Sequence, residues 1–535
     1  MRRIRPDLRR RALLGGALAS LTTAPALARA HRPLRFVPQT GLLSLDPIAD
    51  PNPTTICHGY YVFDTLFGTD AQMRPRPQMA EGAAVSADGL QWRITLRPGL
   101  QFHDGSPVLA RDCIASLQRW AVRDLFGQML ASFVAEWEQA SDAEIVIRLH
   151  RPFPLLLHAL GNAATIVPFI MPARLAATDP YQPVREMVGS GPYRFLPDAF
   201  VPGARAAYAR FATYQPRSEP ADGTAGGKRA AIAQIEWQAL GDPATAASAL
   251  AKREVDWLDL VQPDLVPYLR RQPDLVVARA SQLGNYGWLS FNHHNPPFND
   301  LAVRQAVMLG VRQQDFLQAL TGGDATLFNL RRSFLGPGSP GGGEAEPFAP
   351  RYMTGDLTAA RAALRASRYN GELVVILNAA DITQVAPLGP IAEDYFRQLG
   401  LNVQLHTSDW SAVAKRRMSR KPAAEGGWSA LLNAFSGGTL ANPIRNATIR
   451  GLGDKGTAGW YADATMEQDL AQWIAATTPA ERSTWLQAMS SRAAEQVPSV
   501  PLGQFFMNTA YSCRLQGFLG TNYACPWNLS WVDAS

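Results

Sequence analysis

The chain has 535 residues, 47% of them apolar and 18% charged, the balance of a globular protein and not of a disordered one. Its 51 Lys and Arg against 45 Asp and Glu give a formal charge of +6, but seven Arg and one Asp of these fall within residues 1–30. The remainder carries 44 of each sign and is neutral, so its charge supplies no argument for a nucleic-acid partner.

Residues 1–30 have the layout of an export signal. Six arginines from Arg2 to Arg11 precede a short apolar run over 12–21, and Ala28-Arg29-Ala30 offers a small-x-small cleavage site. The run is too short to span a bilayer, which takes roughly 20 apolar residues. Arg10-Arg11-Ala12-Leu13-Leu14 fits a twin-arginine signal. A basic, unstructured N-terminus is the alternative. Export would leave about 505 residues in the periplasm, enough for two or three domains, and no further stretch has the length and apolarity of a membrane helix. The four cysteines form no C-x-x-C, which excludes zinc-ribbon and thioredoxin motifs. In an oxidising compartment Cys513 and Cys525, the closest pair, are the candidate disulfide. Cys113 shares the apolar face of a helix with Leu117 and is expected as a buried free thiol.

In chain order, a strand over 33–38 leads into a loop (residues 43–55) and a helix expected around 60–67. Asp88-Gly89 is a hairpin signal. Trp92, Ile94 and Leu96 then alternate with polar residues, and two turns follow, at Pro98-Gly99 and Asp104-Gly105. Ala110, Cys113, Ile114 and Leu117 mark an amphipathic helix. His103-Asp104 has the composition of an acid/base pair, but Asp104-Gly105 makes the turn and His103 is expected to be exposed beside it. Residues 144–149 alternate as a strand. Val188-Gly189-Ser190-Gly191-Pro192-Tyr193 is a glycine-rich turn that lacks the G-x-S-x-G spacing of a nucleophile elbow. The Pro/Gly-rich stretch 216–229 is expected as a surface loop. Asp222 and Arg229 stand where a P-loop needs Gly and Ser/Thr, so it holds no nucleotide. Residues 232–240 form a strand and 242–252 a helix, and the segment Glu254-Val255-Asp256-Trp257-Leu258 follows as a strand.

The central stretch is 286–317. Trp288, Ser290 and Asn292 alternate with Leu289 and Phe291, Pro296-Pro297 ends the strand, and Asn299 or Asp300 caps a helix bearing Val303, Ala306 and Val307. Beyond it come a helix over 358–365, a strand over 372–378, a helix over 390–399 stopped by Gly400, and a strand at 403–405. This βαβ order predicts a second α/β sheet. Helices over 465–473 and 479–495 precede an apolar strand over 500–508, expected to return to the first half of the molecule. Catalytic motifs are missing: the chain has no H-E-x-x-H and no S-x-x-K. Gly451-x-Gly453-x-x-Gly456 lies in a loop and not in a strand-to-helix turn. His293 and His294 are strand neighbours that point to opposite faces and cannot readily share a metal.

Three stretches together carry a resemblance: the ladder from Asp88-Gly89 to Asp112, the Gly189–Tyr193 turn, and Asn292 through Ala306. On these the chain resembles the peptide/nickel-type solute-binding proteins of ABC importers, extracytoplasmic family 5. The resemblance implies an α/β, two-lobe periplasmic-binding-protein (Venus-flytrap) fold with an extra subdomain in the first lobe. The limits expected are 31–278 for the first lobe, with the subdomain at about 50–185, 279–496 for the second lobe, and 497–535 returning to the first. It implies a monomer with no cofactor and no catalysis, which holds a peptide or other small polar solute in the cleft and delivers it to membrane permease subunits. A ligand-binding accessory of a sensor, or a secreted hydrolase, are the other classes weighed.

Relatives that bind dipeptides hold the ligand carboxylate with an Arg after the strand matching 372–378, and the amine with an Asp after a Trp matching Trp428. Neither Ala379–Gln384 nor Ser429–Ser436 carries that residue here. The cleft is expected to draw on Asp381 and Thr383, with Asn433, Phe435, Ser436 and Asn442 beside them. Trp288, Trp410 and Trp428 lie in or near its segments, and the facing lobe contributes a loop from Asp46 to Thr54. A turn facing water is the alternative for Asp381.

Overall fold

In the computed structural model, which describes residues 32–163, 166–336, 338–339 and 352–532, the apolar runs assemble into two large sheets. The export signal expected over 1–30 lies outside the described residues. The first sheet has seven strands, in the order Tyr193–Phe195, Arg205–Arg210, Gln234–Gln238, Leu34–Val37, Trp257–Val261, Asn508–Ser512 and Leu275–Arg279. Leu34–Val37 sits inside it, parallel to both neighbours. Its Leu34, Phe36 and Val37 are buried, while half-buried Arg35 pairs with Asp256 at 3.2 Å. Phe36 packs between Trp237 and Trp257, with ring centroids 5.3 and 4.4 Å away. Arg253, at the turn into Trp257–Val261, has φ of 61°, the left-handed conformation that favours glycine.

The second sheet has the order Phe328–Asn329, Ser499–Phe505, Asn285–Phe291, Ala430–Ser436, Leu373–Ala379 and Asn402–Ser408. Asn285–Phe291 is antiparallel to both neighbours. Asp300 then accepts the Ala302 N–H at 3.1 Å and starts the helix Leu301–Gly310. Arg304 of that helix is buried, and its guanidinium donates to the carbonyls of Phe298, Gln496 and Val497. This ties the central strand-helix unit to the end of the long helix Pro479–Gln496. Leu373–Ala379 and Asn402–Ser408 are parallel, joined by Leu388–Leu399, which Gly400 closes at φ 107°, as the sequence predicts.

A smaller four-stranded sheet, Ala80–Val85, Gln91–Leu96, Glu144–Leu149 and Val134–Ser141, packs with the helix Ala110–Arg123. Trp92, Ile94 and Leu96 face inward as their alternation requires, and Cys113 is a buried thiol. The chain passes from the first large sheet to the second between Arg279 and Asn285 and returns between Phe505 and Asn508. The two crossings touch: the Ala280 N–H donates to the Met507 carbonyl at 2.9 Å.

Several expectations are corrected. The helix expected at 60–67 runs over Pro53–Val62, with Asn52 capping and Pro53 in the first turn. The run 500–508 divides: Ser499–Phe505 stays in the second sheet, and only Asn508–Ser512 belongs to the first. His103 is half-buried, not exposed. Its ring bridges the Gly191 carbonyl at 3.0 Å and the Gly189 N–H at 3.3 Å, and burial lowers its pKa to about 4. Those glycines are required by close approach: a Cβ at Gly189 would lie 2.0 Å from the Val62 carbonyl oxygen. The four cysteines are free, with Cys513 exposed and Cys525 buried, so the bridge expected between them is not formed.

The stretch 216–229 is no simple surface loop. Residues 224–228 are buried, and the Lys228 ammonium meets the Asp64 carboxylate at 2.7 Å with both side chains inaccessible. Tyr214 donates to the other Asp64 oxygen at 2.7 Å. Removing one partner of such a pair strands a charge in the interior. Asp64→Asn is therefore expected to lower the unfolding free energy by about 3–5 kcal/mol in urea titration. A loss below about 1 kcal/mol, the scale of a surface pair, contradicts this role.

Candidate ligand-binding site

A cavity of about 940 Å³ opens between the facing ends of the two large sheets. The first side supplies Gln39, Thr40, the 50–53 loop, Trp257 and Asp259 from one strand, and Tyr511 with the 518–525 segment. The second side supplies Ser290, Phe291 and His293 from the central strand and its end, Asn433 to Ser436 from the neighbouring strand, Trp410 and Arg417, and the loop through Trp460 and Tyr461. Aromatic rings form much of the wall. Tyr511 stacks on Phe518 with centroids 3.6 Å apart, and Trp460 lies 6.2 Å from buried Trp428.

The sides also meet directly. Gln262, after the strand Trp257–Val261, donates to the Thr383 hydroxyl at 3.0 Å. Arg445 forms a buried ion pair with Asp124 at 3.1 Å.

Of the residues expected in the cleft, Asn433, Phe435 and Ser436 line the cavity, and Trp410 does also. The other expected residues lie off this wall. Asp381 is exposed, and its carboxylate accepts the Trp410 N–H at 2.8 Å, fixing the start of the helix Trp410–Arg416. Thr383 is the partner of Gln262 and lies off the cavity wall. Asn442 accepts the Ile444 N–H and shapes its own turn. Trp288 is core, its indole N–H donating to Ser499 at 2.7 Å. Trp428 is buried behind Trp460. Asp46 is wholly buried in a two-pronged pair with Arg119, at 3.2 and 2.7 Å, and accepts the Val184 N–H. The Asp46–Thr54 loop still reaches the cavity, through residues 50–53.

Asp259 was missed. It is a half-buried acid in the apolar strand Trp257–Val261. Burial pushes its carboxyl up to about 6, against the Gln39 backbone hydrogen bond that lowers it. Arg417 was also missed. It is half-buried, its guanidinium sits over the Trp410 ring at 5.1 Å, and its Nε has no hydrogen-bond partner among the described residues. Burial lowers its pKa from the ordinary arginine value. The other charged groups on the wall are engaged. Arg450 forks onto Glu467, Arg279 donates to the Thr326 carbonyl and lies over Phe506, and Asp50 accepts from Asn52 and Thr55.

Cys57 and Cys525 line the cavity as thiols. Burial and the Asp259 charge push Cys57 up, and burial pushes Cys525 to about 12, the reverse of what a nucleophilic thiol needs. His293 bonds the Pro498 carbonyl at 2.9 Å and burial lowers it to about 3, while His294 meets Asp454 at 3.1 Å. Among the described residues no group of three or more His, Cys, Asp or Glu could hold a metal.

The raised Asp259 pKa carries a sign. An acid whose folded pKa exceeds its unfolded value supports the fold fully below the unfolded pKa, and that support fades as pH rises through the folded one. The window is therefore pH ~4 to 6, bounded by the ordinary carboxylate value and by the Asp259 value of about 6. Ligand-free Asp259→Asn is expected to exceed the parent in stability by about 1–2 kcal/mol above this window and to match it below, after discounting for partial exposure. Urea unfolding at both ends checks this, and a variant less stable at high pH contradicts it.

Residues 74–444 match the family model described as bacterial extracellular solute-binding proteins, family 5 Middle. The chain is 33% identical over 531 residues to a probable peptide ABC transporter periplasmic-binding protein of Sinorhizobium fredii, covering 98% of this chain and 99% of the relative. Its fold matches the solved structure of a binding protein of A. tumefaciens in complex with agropinic acid (TM-score 0.77, 21% identity, 94% and 99% coverage). It also matches a binding protein of Helicobacter pylori in complex with the peptide STSA (TM-score 0.76, 17% identity, 94% and 98% coverage). The architecture is the two-lobe periplasmic-binding-protein fold, and the chain belongs to family 5 of the bacterial extracellular solute-binding proteins.

Proposed function

We propose that this protein is the substrate-binding component of an ABC importer, taking up a peptide or another small polar solute and delivering it to a permease in the inner membrane. The observation that carries the reading is the cavity of about 940 Å³ between two sheets joined by two short crossings. Its volume and its mixture of aromatic walls with a few directional polar groups suit a small solute, and two lobes on paired linkers can close around one. The relative named for peptide transport supports the solute class, as do neighbours bound to a peptide and to agropinic acid. The chain acts in this account as a monomer, exported by the twin-arginine route and cleaved near Ala30. Its first lobe comprises residues 33–279 with 508–532, and its second comprises 285–505.

A thermal-shift panel of peptides, amines, sugars, opines and metal chelates tests the reading. A true ligand at 100 times its dissociation constant stabilises the folded form by roughly 2.7 kcal/mol. At least one peptide or small polar solute is expected to do so. No shift across the panel contradicts the proposal.

A further inference from the structure

Two half-buried charged groups on the cavity wall, Asp259 and Arg417, form no ion pair among the described residues. Asp259 faces the cavity from the first lobe and Arg417 from the second. Arg417 lies with its guanidinium over the Trp410 ring, and its Nε has no hydrogen-bond partner among the described residues. A charge held away from water needs a partner; of the other ionic groups on the wall, Arg450 is paired with Glu467, Asp50 is held by hydrogen bonds from Asn52 and Thr55, and Arg279 is exposed. We infer that Asp259 and Arg417 are the two ligand anchors, so that a zwitterionic solute lays its amine on the first lobe and its carboxylate on the second. The inference rests on the solute-binding reading above and adds to it the ligand's charge pattern and polarity.

The placement has a mechanical consequence. Each anchor belongs to a different lobe, so neither lobe alone satisfies both ends of the solute. The ligand's own charges become the bridge that favours closure, and a ligand shifts a two-state equilibrium only by its differential affinity for the two states. A solute with one charge is held by one lobe and draws the other in weakly. Trp410, on which the Arg417 guanidinium lies, lines the wall beside the carboxylate end. Thr40 and the Gln39 backbone, which hydrogen-bonds Asp259, lie at the amine end.

The test uses the full mature protein and a set of zwitterionic probes: alanine, dialanine, trialanine, a γ-linked glutamyl dipeptide, and an opine made from an amino acid and a keto acid. Each is also prepared with its amine acetylated, with its carboxylate amidated, and with both blocked. Calorimetric titration reads affinity, and solution X-ray scattering reads closure. At least one free zwitterion is expected to bind and compact the protein, with each single block weakening it by about tenfold to 100-fold, the scale of one charge-assisted hydrogen bond. In Asp259→Asn the penalty for acetylation is expected to vanish while that for amidation stays, and Arg417→Gln shows the converse.

Penalties that persist unchanged in both variants, or fully blocked probes that bind the parent as well as the free ones, overturn the anchors. Should a variant fail to fold, the blocked probes on the parent still decide. Binding of an uncharged sugar with no zwitterion bound overturns the charge pattern and leaves the solute-binding reading standing. Silence across this set and the wider panel removes both.

Discussion

Two crossings hold the molecule's two sheets together, and they are hydrogen-bonded to one another at Ala280 and Met507. Everything functional follows from that economy. Two α/β sheets joined by two short crossings that run in opposite directions can move about those crossings, because packed interiors resist deformation more than loops do. Space between the cores is then the one place where a small ligand can touch both. The buried Asp124–Arg445 pair and the Gln262–Thr383 bond hold the two sides in contact beside the cavity. They lie off its wall, so they set the lobe geometry and leave the cavity free to recognise a solute.

Recognition is separated from stability in the same way. Asp46 with Arg119, and Asp64 with Lys228, are buried pairs satisfied within the protein, and they fix the first lobe. Asp259 and Arg417 are charged groups on the cavity wall that form no ion pair among the described residues. Chemistry at the cavity fits binding better than catalysis. Its thiols are pushed toward the protonated form, and His293 is held neutral against a carbonyl.

Much of the fold was legible in the sequence because its signals are local. Alternation at Trp92, Ile94 and Leu96 marks an inward face, and Asp300 before Val303 and Ala306 marks a helix start. The misplaced helix at 60–67 has the same explanation in reverse: Asn52-Pro53 is a cap and first-turn signal, and it outweighs the apolar run Tyr60-Tyr61-Val62, which ends the helix. The site was less legible because a cavity is made by segments distant in the chain. The family resemblance points to Asp381, yet the following helix claims its carboxylate through the Trp410 N–H. One signal was available: an acid inside Trp257-Leu258-Asp259-Leu260-Val261 breaks an apolar strand, and a half-buried acid there needs a reason. Arg417 offered none, since an arginine near a helix end is ordinary and only the fold turns it toward the cavity.

The most direct test of the account is a crystal structure of the protein with the solute that stabilises it most. The account predicts density for that solute inside the cavity, in contact with residues of both lobes such as Asp259 and Trp257 on one side and Trp410, Asn433 and Trp460 on the other. Density confined to one lobe's outer surface, with the cavity filled only by water, would contradict it.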